Sequence, residues 1–330
     1  MMQRGPNGEA DADGDLTGEL MDGAEKIDME RTLREIVSGS VRSRESMDRH
    51  TSLGVGGIAD FFVEPAHTRE LERLVAFLSG RNVPFFPLGN GTNLIVRDGG
   101  YRGIVISLKN LQHMEIRHDS PENPSMYAEA GVPLARIVEA ALRESLTGIE
   151  FCAGIPGTLG GALRMNAGAW GGAMNDIVTS LFLVTPRGTV GEWEAKRLSF
   201  SYRNLDIPEN SIITAALLSL VLGDSGKIRN RINENMARRR QRHPLSLRSA
   251  GSIFKNPSSA PAGRIIEEAG LKGARVGDAV VSELHGNFIV NDGKATAGDV
   301  LTLIDRLRDR VKELTGLELE REVIVIGEEP

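Results

Sequence analysis

The chain has 330 residues, of which 40% are hydrophobic and 25% are charged, and its net charge at pH 7 is −6. This composition is typical of a soluble globular protein, and the length predicts two or three domains. The acidic balance argues against nucleic acid as a partner. No run approaches the about 20 apolar residues that a membrane-spanning helix needs. We therefore expect neither a nucleic-acid-binding protein nor a membrane protein.

Much of the acidic excess lies at the start of the chain. Nine carboxylates within the first thirty residues are balanced only by Arg4 and Lys26. Such a segment buries too little apolar surface to offset its ordering entropy. It also has neither the basic start nor the apolar core of a secretory signal. We expect residues 1–27 to form a disordered acidic tail.

Cysteine and histidine usage bears on the compartment and on metals. The single cysteine, Cys152, excludes an internal disulfide and suits a reducing cytoplasm. It has no base near it in the sequence, so we interpret it as a small buried hydrophobe. The six histidines are scattered without metal-binding spacing, and we expect no metal site.

Apolar periodicity and turn residues predict alternating helices and strands. The first predicted helix carries Leu71, Leu74, Val75 and Leu78 and ends at Gly80. A second helix begins near Pro133, and an Arg-rich helix covers 227–241. The last helix has a capping box at Thr296 and Asp299 and closes at Gly316. Strands are predicted at 83–88, 94–96, 103–108, 181–184, 212–222 and 322–326. This alternation predicts a mixed α/β or α+β chain.

The first glycine-rich loop is Pro87-Leu88-Gly89-Asn90-Gly91-Thr92-Asn93-Leu94. Its glycines allow close approach to a ligand, and its successive N–H groups can form a nest for a diphosphate. A strand follows the loop, which argues against a dinucleotide-binding fingerprint, since that motif needs a helix there. Taken alone, the loop leaves a simple hairpin turn as an open alternative.

The second loop runs from Gly154 to Ala162 and continues as Met165-Asn166-Ala167-Gly168-Ala169. Its glycines and small residues are poor material for a helix or strand. A backbone this permissive suits a flat aromatic ring or a phosphate lying against the main chain. The order and spacing of the two loops, about sixty-five residues apart, is more specific than either loop alone.

Six segments, in order, resemble the successive motifs of the UDP-N-acetylenolpyruvoylglucosamine reductase family. They are TSLGVGGIADFF (51–62), PLGNGTNLIV (87–96), GIPGTLGGALRMNAGAWGG (154–172), FSYRN (200–204), SAGSIFKNP (249–257) and REVIVIG (321–327). The resemblance implies a cytoplasmic enzyme of peptidoglycan precursor synthesis. Such an enzyme uses non-covalent FAD, with NADPH as co-substrate, to reduce an enolpyruvyl UDP-sugar.

The resemblance also implies an α+β fold. Residues 28–224 would form a two-lobed FAD-binding unit of the vanillyl-alcohol-oxidase-like (PCMH-type) kind, with lobes at about 28–110 and 111–224. Residues 225–320 would form a separate α+β substrate-binding domain. Residues 321–330 would be a C-terminal strand that returns to the FAD unit.

The implied cofactor site includes both loops, with the first holding the FAD diphosphate and the second lying along the flavin and ribityl chain. Its residues are Gly56, Gly57, Leu88, Gly89, Asn90, Gly91, Thr92, Asn93, Leu94, Gly131, Gly154, Ile155, Pro156, Gly157, Thr158, Gly160, Gly161, Ala162, Asn166, Ala167, Gly168 and Ile213. The first loop contains no histidine, so we do not expect a covalent flavin link there.

The implied catalytic residues are Arg203, Ser252 and Glu322. Reduction of an enolpyruvyl ether pushes charge into its carboxylate, so the protein must stabilise that charge and protonate the neighbouring carbon. A guanidinium can hold the carboxylate, a serine can protonate a strongly basic carbon, and the glutamate needs a raised pKa to donate. Taken alone, these residues could be a surface arginine, a turn or capping serine, and a glutamate that faces solvent or pairs with Arg321.

The implied substrate contacts are Tyr202, Arg239, Arg242 and Asn256, with a solvated helix face as the alternative for the two arginines. Arg321, Leu205 and Arg248 depart from the family pattern. The region 172–181 has no room for a long substrate-covering loop, so we expect a shorter-loop enzyme with a more open site. The rival hypotheses are an FAD-linked oxidase on the same scaffold and a nucleotide-binding regulator without catalysis. We expect a monomer or a weak homo-oligomer.

Overall fold

The computed structural model describes residues 23–117 and 124–330. Its helices are α1 (Gly23–Ile36), α2 (Thr68–Gly80), α3 (Leu134–Arg143), α4 (Leu159–Arg164), α5 (Ser225–Arg242), α6 (Ala262–Glu268) and α7 (Ala297–Thr315). Its strands are β1 (Ser40–Ser46), β2 (Ile58–Glu64), β3 (Phe85–Leu88), β4 (Leu94–Val96), β5 (Tyr101–Ser107), β6 (Met114–Arg117), β7 (Ser125–Glu129), β8 (Leu146–Thr147), β9 (Gly168–Ala169), β10 (Gly172–Ala173), β11 (Val178–Val184), β12 (Val190–Glu194), β13 (Ser199–Ser201), β14 (Asn204–Asp206), β15 (Ile212–Ser219), β16 (Val221–Leu222), β17 (Arg248–Ser252), β18 (Arg275–Val276), β19 (Ala279–Val281), β20 (Phe288–Asn291) and β21 (Ile324–Ile326).

Helix α1 begins inside the segment predicted to be a tail. Its Met29 and Leu33 are buried, and the Lys26 ammonium lies 3.0 Å from the Asp60 carboxylate. The predicted tail boundary at residue 27 is therefore wrong, because these tertiary contacts stabilise the helix from Gly23 onward. The rest of the predicted tail, residues 1–22, lies outside the described residues.

The N-terminal sheet has the strand order β1-β2-β5-β3, in which β2, β5 and β3 are parallel. Helix α2 covers it with the apolar face predicted from periodicity, and Leu71, Leu74 and Leu78 pack in one core with Phe61 and Ile104. The central sheet is antiparallel, with the order β12-β11-β15-β7-β6, and α3 and α4 bury apolar residues in its core. Cys152 is buried in that core, as predicted, and burial raises the pKa of its thiol to about 12.

The C-terminal sheet has the order β17-β20-β19-β18 and packs with α6 and α7 around a core that also includes Leu53, Val55 and Ile95. The predicted capping box of α7 is confirmed: Thr296 Oγ1 accepts from Asp299 N at 3.0 Å, and Asp299 Oδ2 accepts from Thr296 N at 2.9 Å. Gly316 closes the helix in the left-handed region, at φ 72°. Local signals were sufficient for this element.

The last strand, β21, pairs in parallel with β4, so that Ile324 lies opposite Leu94. It begins two residues later than predicted, because the amide of Glu322 donates instead to the carbonyl of Ile253. Strand β3 pairs with β5 and not with β4. The first glycine-rich loop is therefore not a hairpin turn, and that alternative is wrong.

Part of the second loop is helical, contrary to the prediction from its glycines. Helix α4 buries Leu159 and Leu163, and Gly160 lies so close to Ala130 that an added Cβ would be 2.8 Å from the alanine Cβ. The glycine therefore permits close packing, which compensates for its low helix propensity.

Within residues 23–117 and 124–330, no helix is long and apolar enough to cross a membrane. The same residues contain no group of three or more His, Cys, Asp or Glu side chains arranged to hold a metal ion.

Candidate active site

The two glycine-rich loops, far apart in sequence, lie against each other. The Thr92 hydroxyl in the first loop donates to the Pro156 carbonyl in the second at 3.4 Å. Gly89 lies beside Thr158, whose hydroxyl would be 2.6 Å from a Cβ added at the glycine. The side chain of Asn93 donates to the Glu322 carbonyl at 3.2 Å, which ties the first loop to the end of the chain.

In the first loop, the absence of a side chain at Gly91 leaves room for the backbone of another segment of the chain, at His50. Gly91 has φ 60°, and an added Cβ would be 2.0 Å from the His50 carbonyl oxygen. Gly57 and Gly131 are similar, since a Cβ on either would come within about 2.2 Å of a backbone carbonyl oxygen. These glycines are required by contacts between chain segments.

In the second loop, a Cβ added at either of two glycines would meet only one protein atom within 4 Å. A Cβ on Gly157, which has φ 129°, would meet only Thr92 Oγ1, at 3.2 Å. A Cβ on the exposed Gly161 would meet only Thr158 Oγ1, at 3.8 Å. This surface offers backbone without side-chain obstruction, which is the clearance that a phosphate or a flat ring needs. The residues present therefore fit the cofactor implied by the motifs.

Not every residue of the implied cofactor site faces that space. The side chains of Leu88, Leu94, Ala162 and Ile213 are buried in the protein cores. Asn166, with φ 38°, uses its side-chain amide within the protein, donating to the Ser201 carbonyl at 3.0 Å and accepting from the amide of Asn175 at 3.1 Å.

Arg203 and Glu322, which are far apart in sequence, form an ion pair. Arg203 Nε lies 2.9 Å from Glu322 Oε1, and both side chains are mostly buried. The N–H is not aligned with that oxygen, and Arg203 Nε has no well-formed hydrogen bond to any described residue. The pair therefore holds a buried donor that an incoming carboxylate could satisfy. Arg203 adopts φ 59°, an uncommon conformation for a non-glycine residue.

Burial raises the pKa of Glu322 above its usual value, while the positive charges of Arg203 and Lys255 oppose the rise. Its side chain is only 12% exposed, so the alternative in which this glutamate faces solvent is wrong. The raised pKa keeps a proton on the carboxyl to higher pH, which is the condition set for a donor role.

Ser252 lies at the end of β17, beside both the first loop and the Arg203–Glu322 pair. The preceding Gly251 has φ 74°, and a Cβ there would be 3.7 Å from the Thr92 carbonyl oxygen. The following residue, Ile253, accepts the amide of Glu322 at 2.8 Å. Among the described residues, the Ser252 hydroxyl has no hydrogen-bond partner. The fold thus brings together all three residues implied as catalytic.

The four implied substrate contacts form two groups. Tyr202 is exposed, and its hydroxyl accepts from the amide of Asn256 at 3.4 Å. Asn256 Oδ1 is already engaged with the amide of Ala262, at 2.9 Å. Arg239 and Arg242 lie on α5, where Arg239 is buried and Arg242 is exposed.

Arg239 is buried next to the second loop, where a Cβ on Gly154 would be 2.9 Å from its Cδ. In the described part of the chain it has no ion pair, and its Nε has no hydrogen-bond partner. Its Nη1 lies 3.4 Å from His243 Nδ1, and burial lowers its pKa. A buried cation without an anion favours an anionic ligand at this position, so the solvated-face alternative is wrong for Arg239.

One buried residue beside Ser252 was not predicted. Asn287 makes two hydrogen bonds with the backbone of Phe254, a few residues beyond the serine. An isolated asparagine before a strand carries no local signal for such a contact.

Comparison with known families bears on this arrangement. Residues 59–193 match the family described as "FAD binding domain". Residues 243–326 match "UDP-N-acetylenolpyruvoylglucosamine reductase, C-terminal domain". These two matches define the class: an FAD-dependent oxidoreductase.

Similar proteins identify the family. The chain is 50% identical over 297 residues to UDP-N-acetylenolpyruvoylglucosamine reductase of Syntrophus aciditrophicus, covering 90% of this chain and 95% of that protein. For the Geobacter sulfurreducens enzyme of the same name the identity is 44%, over 89% of this chain and 96% of that protein. The crystal structure of the Thermus caldophilus enzyme has a TM-score of 0.75 and 36% identity, covering 87% of this chain and 99% of that one. The chain belongs to the UDP-N-acetylenolpyruvoylglucosamine reductase family, which confirms the resemblance drawn from the motifs.

Proposed function

We propose that the chain reduces UDP-N-acetylglucosamine enolpyruvate to UDP-N-acetylmuramate with NADPH, in peptidoglycan precursor synthesis, with Arg203, Ser252 and Glu322 as its catalytic residues. The observation that carries these assignments is the convergence of the buried Arg203–Glu322 pair and Ser252 beside the two loops. Neither an oxidase nor a non-catalytic nucleotide-binding regulator needs this set, so the reductase is favoured over both.

FAD, when bound, supplies hydride transfer between NADPH and the enolpyruvyl carbon. The backbone of residues 89–93 would hold its diphosphate, and residues 154–158 and 160–162 would lie along the flavin and ribityl chain. The open faces of Gly157 and Gly161 support this placement. Leu88, Leu94, Ala162 and Ile213 would support the site from the core.

Arg203 would bind the substrate carboxylate. Its guanidinium is held by Glu322 and by the Gly168 carbonyl, which accepts from Nη1 at 3.3 Å. The positive guanidinium can stabilise the charge that develops on the carboxylate. The left-handed backbone at Arg203 directs the side chain, at a cost of about 1–3 kcal/mol that the surrounding fold must offset.

Ser252 would donate its hydroxyl proton to the carbon next to the reduced one. An alcohol is a weak acid, and it can serve here because an enolate-like carbon is strongly basic. Burial raises the pKa of Glu322, and in its protonated form it would donate a hydrogen bond to the same carboxylate that Arg203 holds. The two acidic groups then act on different atoms of one substrate.

The rest of the substrate would be held by the second group of contacts. Arg239 and Arg242 would bind the diphosphate of the UDP-sugar, because Arg239 is a buried cation whose Nε has no hydrogen-bond partner and which forms no ion pair with the described residues. Tyr202 from the FAD unit and Asn256 from the substrate domain would contact the substrate, and the Tyr202 hydroxyl accepts from the amide of Asn256. The short segment at 172–181 supports the more open, shorter-loop site.

We further propose that the enzyme works in the cytoplasm, takes no nucleic acid and is a monomer or a weak homo-oligomer. The domain limits, 28–224 for the FAD unit and 225–320 for the substrate domain, remain part of this proposal. The hydrophobic core around the C-terminal sheet draws most of its residues from 250–323, which supports the division, and it also includes Leu53, Val55 and Ile95.

The purified protein should be yellow, and its flavin should leave on acid or heat denaturation. NADPH oxidation should depend on the enolpyruvyl UDP-sugar, and the sugar should restore the yellow colour much faster than oxygen does. Faster reoxidation by oxygen would favour the oxidase. A colourless protein that takes up no FAD would refute the proposal.

A further inference from the structure

Asn287 immediately precedes β20 and holds the segment that carries Ser252. Its Oδ1 accepts from the amide of Phe254 at 2.9 Å, and its Nδ2 donates to the carbonyl of the same residue at 2.7 Å. Its own carbonyl accepts from the amide of Ile253 at 2.9 Å. Asn287 is only 3% exposed, so these bonds are shielded from water. The side-chain amide thus pairs with Phe254 as a neighbouring strand would.

The side chain of Asn287 takes the place of a strand partner because the regular hydrogen-bond ladder between β17 and β20 is interrupted at this point. The register between β17 and β20 shifts between Ser249 and Ser252. A bulge of this kind redirects side chains but leaves backbone groups without a ladder partner. The two-pronged amide of Asn287 satisfies both backbone groups of Phe254 directly after the bulge.

The opposite edge of the same segment holds the C-terminal end of the site. The Ile253 carbonyl accepts the amide of Glu322 at 2.8 Å, and the amide of Lys255 donates to the Glu320 carbonyl at 2.8 Å. The segment from Ser252 to Lys255 therefore lies between Asn287 and the residues around Glu322. A displacement of this segment would change the distance from the Ser252 hydroxyl to the Glu322 carboxyl.

Asn287 is in turn held by the imidazole of His285. The backbone amide of Asn287 donates to His285 Nδ1 at 3.1 Å, and the centroid of the His285 ring lies 5.3 Å from that of the His243 ring. Burial lowers the pKa of His285 and lowers that of His243 to about 4, so both rings can accept hydrogen bonds at neutral pH. His243 Nδ1 faces the guanidinium of Arg239 at 3.4 Å. A continuous row of contacts thus joins the buried arginine to the Ser252 segment.

We infer that Asn287 is a positioning residue of the reductase, which sets the Ser252 hydroxyl relative to the Glu322 carboxyl by clamping Phe254 with its side-chain amide. This inference rests on the proposed role of Ser252 as proton donor. An asparagine is required because the clamp needs one donor and one acceptor. An aspartate offers only acceptors when ionised, and an alanine offers neither.

The first test compares Asn287→Ala with the wild type in the two half-reactions. Loss of flavin absorbance on adding NADPH should be unchanged, while its return on adding the enolpyruvyl UDP-sugar should slow roughly 10–100-fold, since small misplacements of a reacting group cost about this much. The KM for the sugar should change less than kcat. Hydrogen exchange of the peptide containing Phe254 should speed up without substrate. Equal slowing of both half-reactions, or unchanged exchange, would overturn the inference.

A double variant separates positioning from general damage. If Asn287 acts through Ser252, the Ser252→Ala/Asn287→Ala enzyme should be no slower in the substrate-driven step than Ser252→Ala alone; multiplying effects would refute the inference. If Ser252→Ala is itself as fast as wild type, the proposed proton donor is wrong. The matched control is Asn291→Ala, because Asn291 is a buried asparagine at the end of β20, the strand that Asn287 precedes, and its side chain donates to the Leu53 carbonyl at 3.1 Å. It should not slow the substrate-driven step selectively.

Asn287→Asp covers the case in which the alanine variant does not fold. The aspartate keeps the size of the side chain and can still accept from Phe254 N. When protonated it can also donate to the Phe254 carbonyl. The ratio of its substrate-driven rate to that of wild type should therefore rise as pH falls. A ratio that is flat or falls with decreasing pH would overturn the inference.

Discussion

The cofactor side and the substrate side of the site are built from different materials. The cofactor side consists of two loops whose important feature is absent side chains: Gly91 leaves room for the His50 carbonyl, and Gly161 leaves open space. The substrate side concentrates side chains with unusual electrostatics. Glu322 is mostly buried with a raised pKa, and Arg239 is a buried cation without an ion pair in the part of the chain that the structure describes.

This difference predicts which kinds of substitution should damage each side of the site. A surface formed by backbone recognises shape and is damaged by added volume. A surface formed by charged and polar groups is damaged by removal of a proton, a charge or a donor, with little change in shape. Substitutions on the first side should therefore change FAD occupancy, and substitutions on the second should change one chemical step.

Ser252→Ala should have the largest effect, confined to the substrate side. Loss of flavin absorbance on adding NADPH should stay nearly intact, because that step needs no proton donor to carbon. The substrate-driven return of absorbance should slow by about 10²–10⁴-fold, as is typical when a general acid is removed. Ser252→Cys should be partly active, since a thiol can also donate. Stopped-flow absorbance measures each step; equal slowing of both would contradict the assignment.

Gly91→Val should be the most damaging change on the cofactor side. Its Cβ would overlap the His50 carbonyl at 2.0 Å, in a backbone conformation that β-branched residues avoid. The left-handed conformation costs roughly 1–2 kcal/mol, and overpacking adds about 1–3 kcal/mol. Tm and FAD occupancy should both fall. Gly270→Val is the matched control, because Gly270 has φ 72° but nothing within 4 Å of an added Cβ; it should lose some stability and retain its flavin.

The same contrast explains what the sequence could predict. Helix α7 was predictable because its capping box and closing glycine are local signals. Helix α1 was not predicted, and its first residues were assigned to the tail, because Met29 and Leu33 are buried by contacts that no local pattern reveals. Helix α4 was missed because its glycines predict against a helix when the sequence is considered alone. The close contact of Gly160 with Ala130, which accounts for that glycine, depends on the tertiary fold.

The substrate side was predicted only through the family motifs. Nothing within a few residues of Arg203 or Glu322 indicates that the two side chains meet at 2.9 Å. Asn287 was missed because its two bonds depend on a bulge between strands that are distant in sequence. Local physics thus predicted helix ends and loops, while the site required long-range packing.

Glu322→Gln should have an effect between those of wild type and Ser252→Ala, and it should change the pH profile. Because burial raises the pKa of this carboxyl, the protonated donor persists to higher pH and is lost as pH rises through that raised value. The substrate-driven rate of the wild type should therefore fall on the alkaline side. Glutamine cannot ionise, so the variant should lack that limb.

Glu320→Gln is the control for this pH effect, because Glu320 is exposed and pairs with Lys255. It should keep the alkaline limb of the wild type. An identical limb in Glu322→Gln would assign the titration to another group.

Gly161→Ala should have the smallest effect and tests whether open space on the cofactor side is occupied by FAD. Gly161 lies in α4, where alanine is favoured over glycine by roughly 0.5–1 kcal/mol. A Cβ there meets no protein atom closer than 3.8 Å, so the chain without FAD should become slightly more stable. If the flavin lies against this backbone, the same methyl group should weaken FAD binding several-fold.

Gly160→Ala is the contrasting variant, because its Cβ would crowd Ala130 at 2.8 Å. This variant should have a lower Tm than the wild type even when FAD is absent. Thermal unfolding at several FAD concentrations separates the two effects, because only the change in affinity alters how Tm rises with ligand. An unchanged FAD affinity in Gly161→Ala would place the cofactor elsewhere on the second loop.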